Sequence, residues 1–233
     1  MTLRIVLLHS IQKYATRILI MAKKVYIVGG DGFARECYHN VLRMREWDRD
    51  IQFVGFLGHG GYGHTVDYKT YQHLYLGEVA EHRFAEDEYV VIGAGYPDLR
   101  RKIYNDLKAQ GVRFINLLSC PLLKSVVIGE ANVVVGCGEL CPNVKLGNGN
   151  VLNGDVCIGH DVEMGDFNFC GPKSQLLGYV KLGNDNVIGA GSIVLAHAKI
   201  GDANKVAPLS VIYRGCRSHS YMLGNPALKV GEC

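Results

Sequence analysis

Leu146–Asn168 reads LGNGNVLNGDVCIGHDVEMGDFN, and an apolar residue returns every six positions, at Leu146, Leu152, Ile158 and Met164. The register runs on in both directions. Ile128, Val134 and Leu140 precede the stretch, and Cys170, Leu176, Leu182, Ile188, Val194, Ile200, Val206 and Ile212 follow it, fifteen positions without a miss. Glycine stands next to the apolar residue at 129, 147, 159, 165, 171, 183, 189 and 201. Helices and strands repeat with periods of about 3.6 and 2. A period of six belongs to a solenoid whose flat faces are six residues each.

A second period is nested in the first. The pattern apolar-Gly-x-x-Asn occurs as IGEAN (128–132), LGNGN (146–150), MGDFN (164–168), LGNDN (182–186) and IGDAN (200–204), always 18 residues apart. Eighteen is three sixes, so one coil has three faces. Asn132, Asn150, Asn168, Asn186 and Asn204 then stack at one corner. Asn tolerates the left-handed backbone of a tight corner, and stacked amides can hydrogen-bond along the column. Successive coils pair ~4.8 Å apart. Only the terminal coils need covers, one from the N-terminal half and one from the tail after Ser218.

The remaining composition bounds the class. The chain has 233 residues, 48% hydrophobic and 20% charged, with a net charge of +3. That describes a globular protein, and it excludes a basic nucleic-acid-binding surface. None of the eight cysteines forms a C-x-x-C pair, so zinc-ribbon spacing is absent and no metal site is expected. Cys157 and Cys170 sit in apolar runs and read as small buried hydrophobes. Reduced thiols and a cytoplasmic location follow. Residues 1–20 are apolar and basic, open to reading as a targeting helix or as an N-terminal extension before Met21. They lack a cleavage signal, and no apolar run is long enough to span a membrane.

Before the repeat, Lys24–Val28, Gln52–Leu57, Tyr89–Ile92 and Arg113–Leu118 read as strands. Phe33–Arg45 and Pro97–Gln110 read as helices, and residues 58–76 as a loop with room for a short strand. This alternation predicts a small α/β layer on a parallel sheet. The turn Gly30-Asp31-Gly32-Phe33 follows the first strand and opens the first helix, which is where backbone N–H groups can face an anion. It is a poor dinucleotide fingerprint, because Arg35 holds the third glycine position and Leu57-Gly58-His59 offers no acid for a ribose. A nucleotide-sugar site and a simple tight connection both remain open for it.

The repeat resembles the left-handed β-helix acyltransferases. From Lys24 onward the chain is similar to one branch of them, the sialic acid O-acetyltransferases and bacillosamine-pathway sugar N-acetyltransferases. The matching stretches are VYIVGGDGFARE (25–36), VVIGAG-x-x-x-x-R-x-x-I (90–103), INLL (115–118), VLNGDVCIGHDVEMGDF (151–167) and LGNPA (223–227). The resemblance implies an α/β nucleotide-sugar-binding domain before the β-helix, use of acetyl-CoA, and a homotrimer with sites between neighbouring β-helices. It implies a catalytic histidine in the stretch that holds His160. It also implies that Gly178, Ala190 and Ala207 contact the pantetheine arm. Phe169 replaces a histidine often found nine residues after the catalytic one, and Leu57-Gly58 replaces acids that usually end the second strand.

Acetyl transfer requires one proton to leave the acceptor as it attacks the thioester, and a histidine suits that task. His160 has Pro142 and Gly178 as its neighbours one coil away. Gly178 has no side chain, which predicts open room above the imidazole for a thioester arm. Asp161 is the nearest carboxylate to orient the ring, although adjacent strand residues point to opposite faces. His197 lies two coils on, and His219 lies in the tail.

The expected organisation is an extension over 1–20, an α/β nucleotide-sugar-binding-like domain over 21–118, and a left-handed β-helix domain with its tail over 119–233. The expected function is acetyl-CoA-dependent acetylation of a nucleotide-linked amino sugar or sialic-acid-like sugar, without nucleic-acid or membrane partners. A small-molecule O-acetyltransferase with an unused cap and a non-catalytic scaffold are the competing readings.

Overall fold

The structure, a computed structural model, describes residues 22–60, 70–136 and 140–233. The N-terminal extension, Met21, residues 61–69 of the expected loop, His9, His64 and Cys137 lie outside the described residues.

Lys23–Val28 (β1), Ile51–Gly58 (β2), Tyr75–Glu78 (β3), Glu88–Ile92 (β4) and Arg113–Phe114 (β5) form one parallel sheet in the order β3-β2-β1-β4-β5. β1 is central and buried on both faces, as its unbroken apolar run requires. Gly32–Met44 (α1) packs on one face, with Ala34, Cys37, Val41 and Met44 against Val25, Ile27 and Val91. Pro97–Lys108 (α2) packs on the other through Ile103 and Leu107. The expected fourth strand divides. β5 pairs with β4, whereas Leu117–Leu118 pairs with Val133–Val134 of the solenoid. An apolar run reads the same in either sheet, so the sequence did not mark the break.

From there the chain winds as a left-handed parallel β-helix of three sheets. Between Val127 and Ile212 its strand pairings join residues 18 apart, such as Val151 to Phe169, Cys157 to Gln175 and Glu163 to Lys181, and the terminal strands pair at 16. The period-six residues form its core, Ile158, Cys170, Leu176, Ile188 and Val194 being fully buried. Cys157 is exposed, contrary to expectation, because it precedes the inward residue and faces out.

The asparagine column is a hydrogen-bonded ladder. Asn132 Oδ1 accepts from Asn150 N, Asn150 Oδ1 from Asn168 N, and Asn168 Oδ1 from Asn186 N, at 2.8–3.0 Å. The left-handed residue is not the asparagine but the one before it: Ala131, Gly149, Phe167, Asp185 and Ala203 carry positive φ. The asparagines are needed for buried polar satisfaction rather than for the turn itself.

One of the two covers differs from expectation, and the tail covers the far end as expected. The α/β layer packs on the flank of the solenoid, where the outward residues Val133, Val135 and Val151 join the α1 core. Leu118, Leu122 and Val126 pack against the solenoid core itself. At the far end Ser220–Gly224 extends one sheet and buries Met222, then Ala227–Glu232 returns antiparallel to it. Arg100 joins the two parts. The residue is 1% exposed, and its guanidinium donates to Ile92 O and Ala94 O at the end of β4, and to Gly149 O and Ala131 O on a solenoid corner. Burial pulls its pKa down to about 10, so it stays charged at neutral pH.

Candidate active site

His160 stands at the corner after Cys157–Ile158, with its side chain 56% exposed. Its Nδ1 lies 2.8 Å from Asp161 Oδ2. Asp161 has φ +58°, and this left-handed residue cancels the alternation that would have turned the two side chains apart. An ionised carboxylate only accepts, so Nδ1 carries the proton and the Nε2 lone pair is available as a base. The hydrogen bond to His160, and then one from Asn143, hold the Asp161 carboxyl below the usual carboxylate range.

Gly178 lies directly against this ring. A Cβ there would stand 2.7 Å from His160 Cε1 and Nε2. The space that the missing Cβ leaves is therefore taken up by the imidazole itself. Tyr179 stands edge-on to His160 with ring centroids 5.1 Å apart, and His197 stacks on the far side of Tyr179 at 4.9 Å.

Ala190 and Ala207 lie on a different edge of the prism. With Gly171, Gly189 and Pro208 they line a cleft of about 690 Å³, mostly apolar, which Tyr96 and Phe169 close on the α/β side. Tyr96 and Phe169 stack at 5.6 Å. The face carrying Cys157, Gln175, Ile193 and Val211 separates this cleft from His160 within one chain. The structure thus brings His160, Asp161 and Gly178 together, brings Ala190 and Ala207 together, and keeps the two groups apart.

The Gly30–Phe33 turn does not present a bare helix N-terminus. Asp31 Oδ1 caps α1 by accepting from Phe33 N and Ala34 N at 3.0 and 3.2 Å, so a phosphate would have to displace it. Gly32 instead borders a groove of about 540 Å³ between α1 and the solenoid. Arg35, His39 and Arg43 line it at every fourth position of the helix, facing Asn153 and Gly154. An acid does stand at the end of β2, although not in its sequence. Glu78 of β3 lies over Gly58, where any side chain would collide with it, and accepts from Tyr75 Oη at 3.0 Å. The basic stripe was readable as a spacing of four, and Asn143 as a spacing of 18 from Asp161. Glu78 gave no signal, because only strand pairing carries it to Gly58.

No protein-family model matches the sequence, and no curated protein matches it. Solved structures do. The fold is that of hexapeptide-repeat acetyltransferases with an N-terminal α/β layer. Perosamine N-acetyltransferase from Caulobacter crescentus, solved as a His-to-Asn variant with CoA and GDP-perosamine, superposes with a TM-score of 0.76 at 19% identity, over 90% of this chain and 97% of that one. The acetyltransferase domain of PglB from Neisseria gonorrhoeae, with acetyl coenzyme A, gives 0.79 at 18% identity, over 89% and 99%. WeeI from Acinetobacter baumannii gives 0.70 at 21% identity, over 88% and 99%.

Proposed function

We propose that this protein is an acetyl-CoA-dependent N-acetyltransferase acting on a nucleotide-linked amino sugar, with His160 as general base. The observation that carries the reading is the oriented dyad. Asp161 accepts from Nδ1, which leaves the Nε2 lone pair of the partly exposed His160 ring to act as the base. The amine of the acceptor loses its proton to Nε2 as it attacks the thioester carbonyl, Asp161 stabilises the imidazolium that results, and the C–S bond then breaks as CoA leaves as the thiol, carrying that proton away. Acetyl-CoA supplies the activated acyl group, and the small residues of the Ala190–Ala207 cleft suit its narrow pantetheine arm. Arg35, His39 and Arg43 supply donors for the diphosphate of the acceptor, and this favours a nucleotide-linked sugar over a free one. The likeness to structures solved with CoA, acetyl coenzyme A and GDP-perosamine supports the same class.

The working unit in this reading is a homotrimer. His160 and the cleft flank one solenoid face, on and beside which Ile193, Val211, Leu209 and Tyr213 are partly or fully exposed. Three copies packed on such faces would set the His160 of one copy against the cleft of the next. A cytoplasmic location fits, since none of the seven described cysteines is in a disulfide and no described helix is long and apolar enough to cross a membrane.

The test is thiol release from acetyl-CoA with UDP- and GDP-linked amino sugars, wild type against His160→Ala. Loss of the base lowers turnover by roughly 10²–10⁴-fold. Equal turnover in the variant would remove His160 from the mechanism, and no turnover by wild type with any such sugar would remove the acceptor class.

A further inference from the structure

The corner that carries Asp161 runs through the solenoid. Asn143, Asp161, Tyr179 and His197 hold the same site in four successive coils, with φ of +63°, +58°, +63° and +65°. Side chains in such a column lie beside one another at the coil spacing, about 4.8 Å. A partly exposed carboxylate at this position has several staggered rotamers open to it, and only some present an oxygen to His160.

One neighbour selects among them. Asn143 Nδ2 donates to Asp161 Oδ1 over 3.0 Å while Oδ2 faces His160 Nδ1. The Asn143 backbone is held in turn, its N–H donating to Ser125 Oγ at 3.2 Å. The chain of contacts Ser125–Asn143–Asp161–His160 therefore spans three coils and ends on the imidazole.

We propose that Asn143 is a positioning residue for the base: its amide fixes the Asp161 carboxylate, which in turn fixes the tautomer and ring plane of His160. The catalytic part of this proposal rests on the reading of His160 as the base. Asparagine meets the demands of the site. It tolerates the left-handed backbone. It donates without neutralising the carboxylate, as a lysine would, so the full negative charge remains to stabilise the imidazolium. Asp161's lowered pKa, to which Asn143 contributes after His160, agrees with this geometry.

Two variants separate the role from mere folding. Asn143→Gly removes the amide yet keeps the left-handed corner without strain. Asn143→Asp keeps the shape but replaces the donor with a like charge. Ring ¹⁵N NMR of His160 and ¹³C titration of the Asp161 carboxyl need no substrate. In Asn143→Gly the Nδ1–H population should fall and the Asp161 titration should move up toward the ordinary carboxylate range. With acetyl-CoA and a UDP-linked amino sugar, kcat should drop about tenfold with KM nearly unchanged, the scale typical of outer positioning groups. Asn143→Asp should lose at least as much. Unaltered NMR signatures in Asn143→Gly would overturn the positioning link itself, whatever the substrate. A shifted tautomer with unchanged kcat would overturn its role in catalysis. The NMR result is independent of the His160→Ala comparison, which decides the base, and the kcat result is read together with that comparison.

Discussion

Gly178 shows how a position can be legible in the sequence while what lies against it is not. Its position one coil from His160 follows from the 18-residue period alone. What fills the gap does not, since a missing Cβ can admit a ligand or a neighbouring ring, and here the imidazole takes the space. Gly178 is not among the glycines held at positive φ, so alanine suits its backbone. We expect Gly178→Ala to fold normally by circular dichroism yet lose about 10²-fold in kcat, because its methyl group would push the ring off Asp161. Wild-type turnover in this variant would show that the ring is free to move without consequence. Asp161 carries a related lesson. Strand alternation argued against its pairing with His160, and one left-handed residue reverses that outcome.

At the scale of elements, hydrogen-bond register explains why the solenoid was so legible. Each coil pairs with the next through the same backbone positions, so one favourable residue choice recurs 18 residues later. The ladder even continues past the repeat. Asn116 Oδ1 accepts from Asn132 N at one end, and Asn204 Oδ1 from Ser220 N at the other. Asn168 sits mid-ladder, accepting from Asn186 N and Nδ2 and donating to Asn150 Oδ1 and Gly183 O. Asn168→Ala would leave several of these buried groups without partners, at about 1–3 kcal/mol each. The expected outcome is a lower thermal midpoint, with Asp202→Ala at an exposed corner nearly neutral by comparison. Equal midpoints for the two variants would show that the ladder contributes little. β1, β2, β4 and both helices were legible to within about two residues at each end, the usual fraying of such boundaries, whereas β3 was read only as part of a loop with room for a short strand. The divided strand around Ile115 was not, since either sheet accepts the same apolar residues.

For the whole molecule, the decisive contact is Arg100. It ties the end of β4 to a solenoid corner, reaching Gly149 across 49 residues of sequence. Replacing it with methionine preserves much of the volume but strands four carbonyl acceptors. We expect Arg100→Met to cost about 3–5 kcal/mol, read as a fall in thermal midpoint of roughly 10 °C. A midpoint within a degree or two of wild type would mean that apolar packing alone holds the two parts together. The groove lined by Arg35, His39 and Arg43 exists only because this docking sets α1 against Asn153 and Gly154. The sequence by itself determined the period, the coil, the columns of asparagine and apolar residues, and the pairing of His160 with Gly178, because those contacts repeat locally at fixed spacing. The tertiary structure alone decided where the α/β layer docks, that Glu78 covers Gly58, and that His160 and the Ala190–Ala207 cleft face apart. Those contacts join residues with no common register, and only the packing of one body against another determines them.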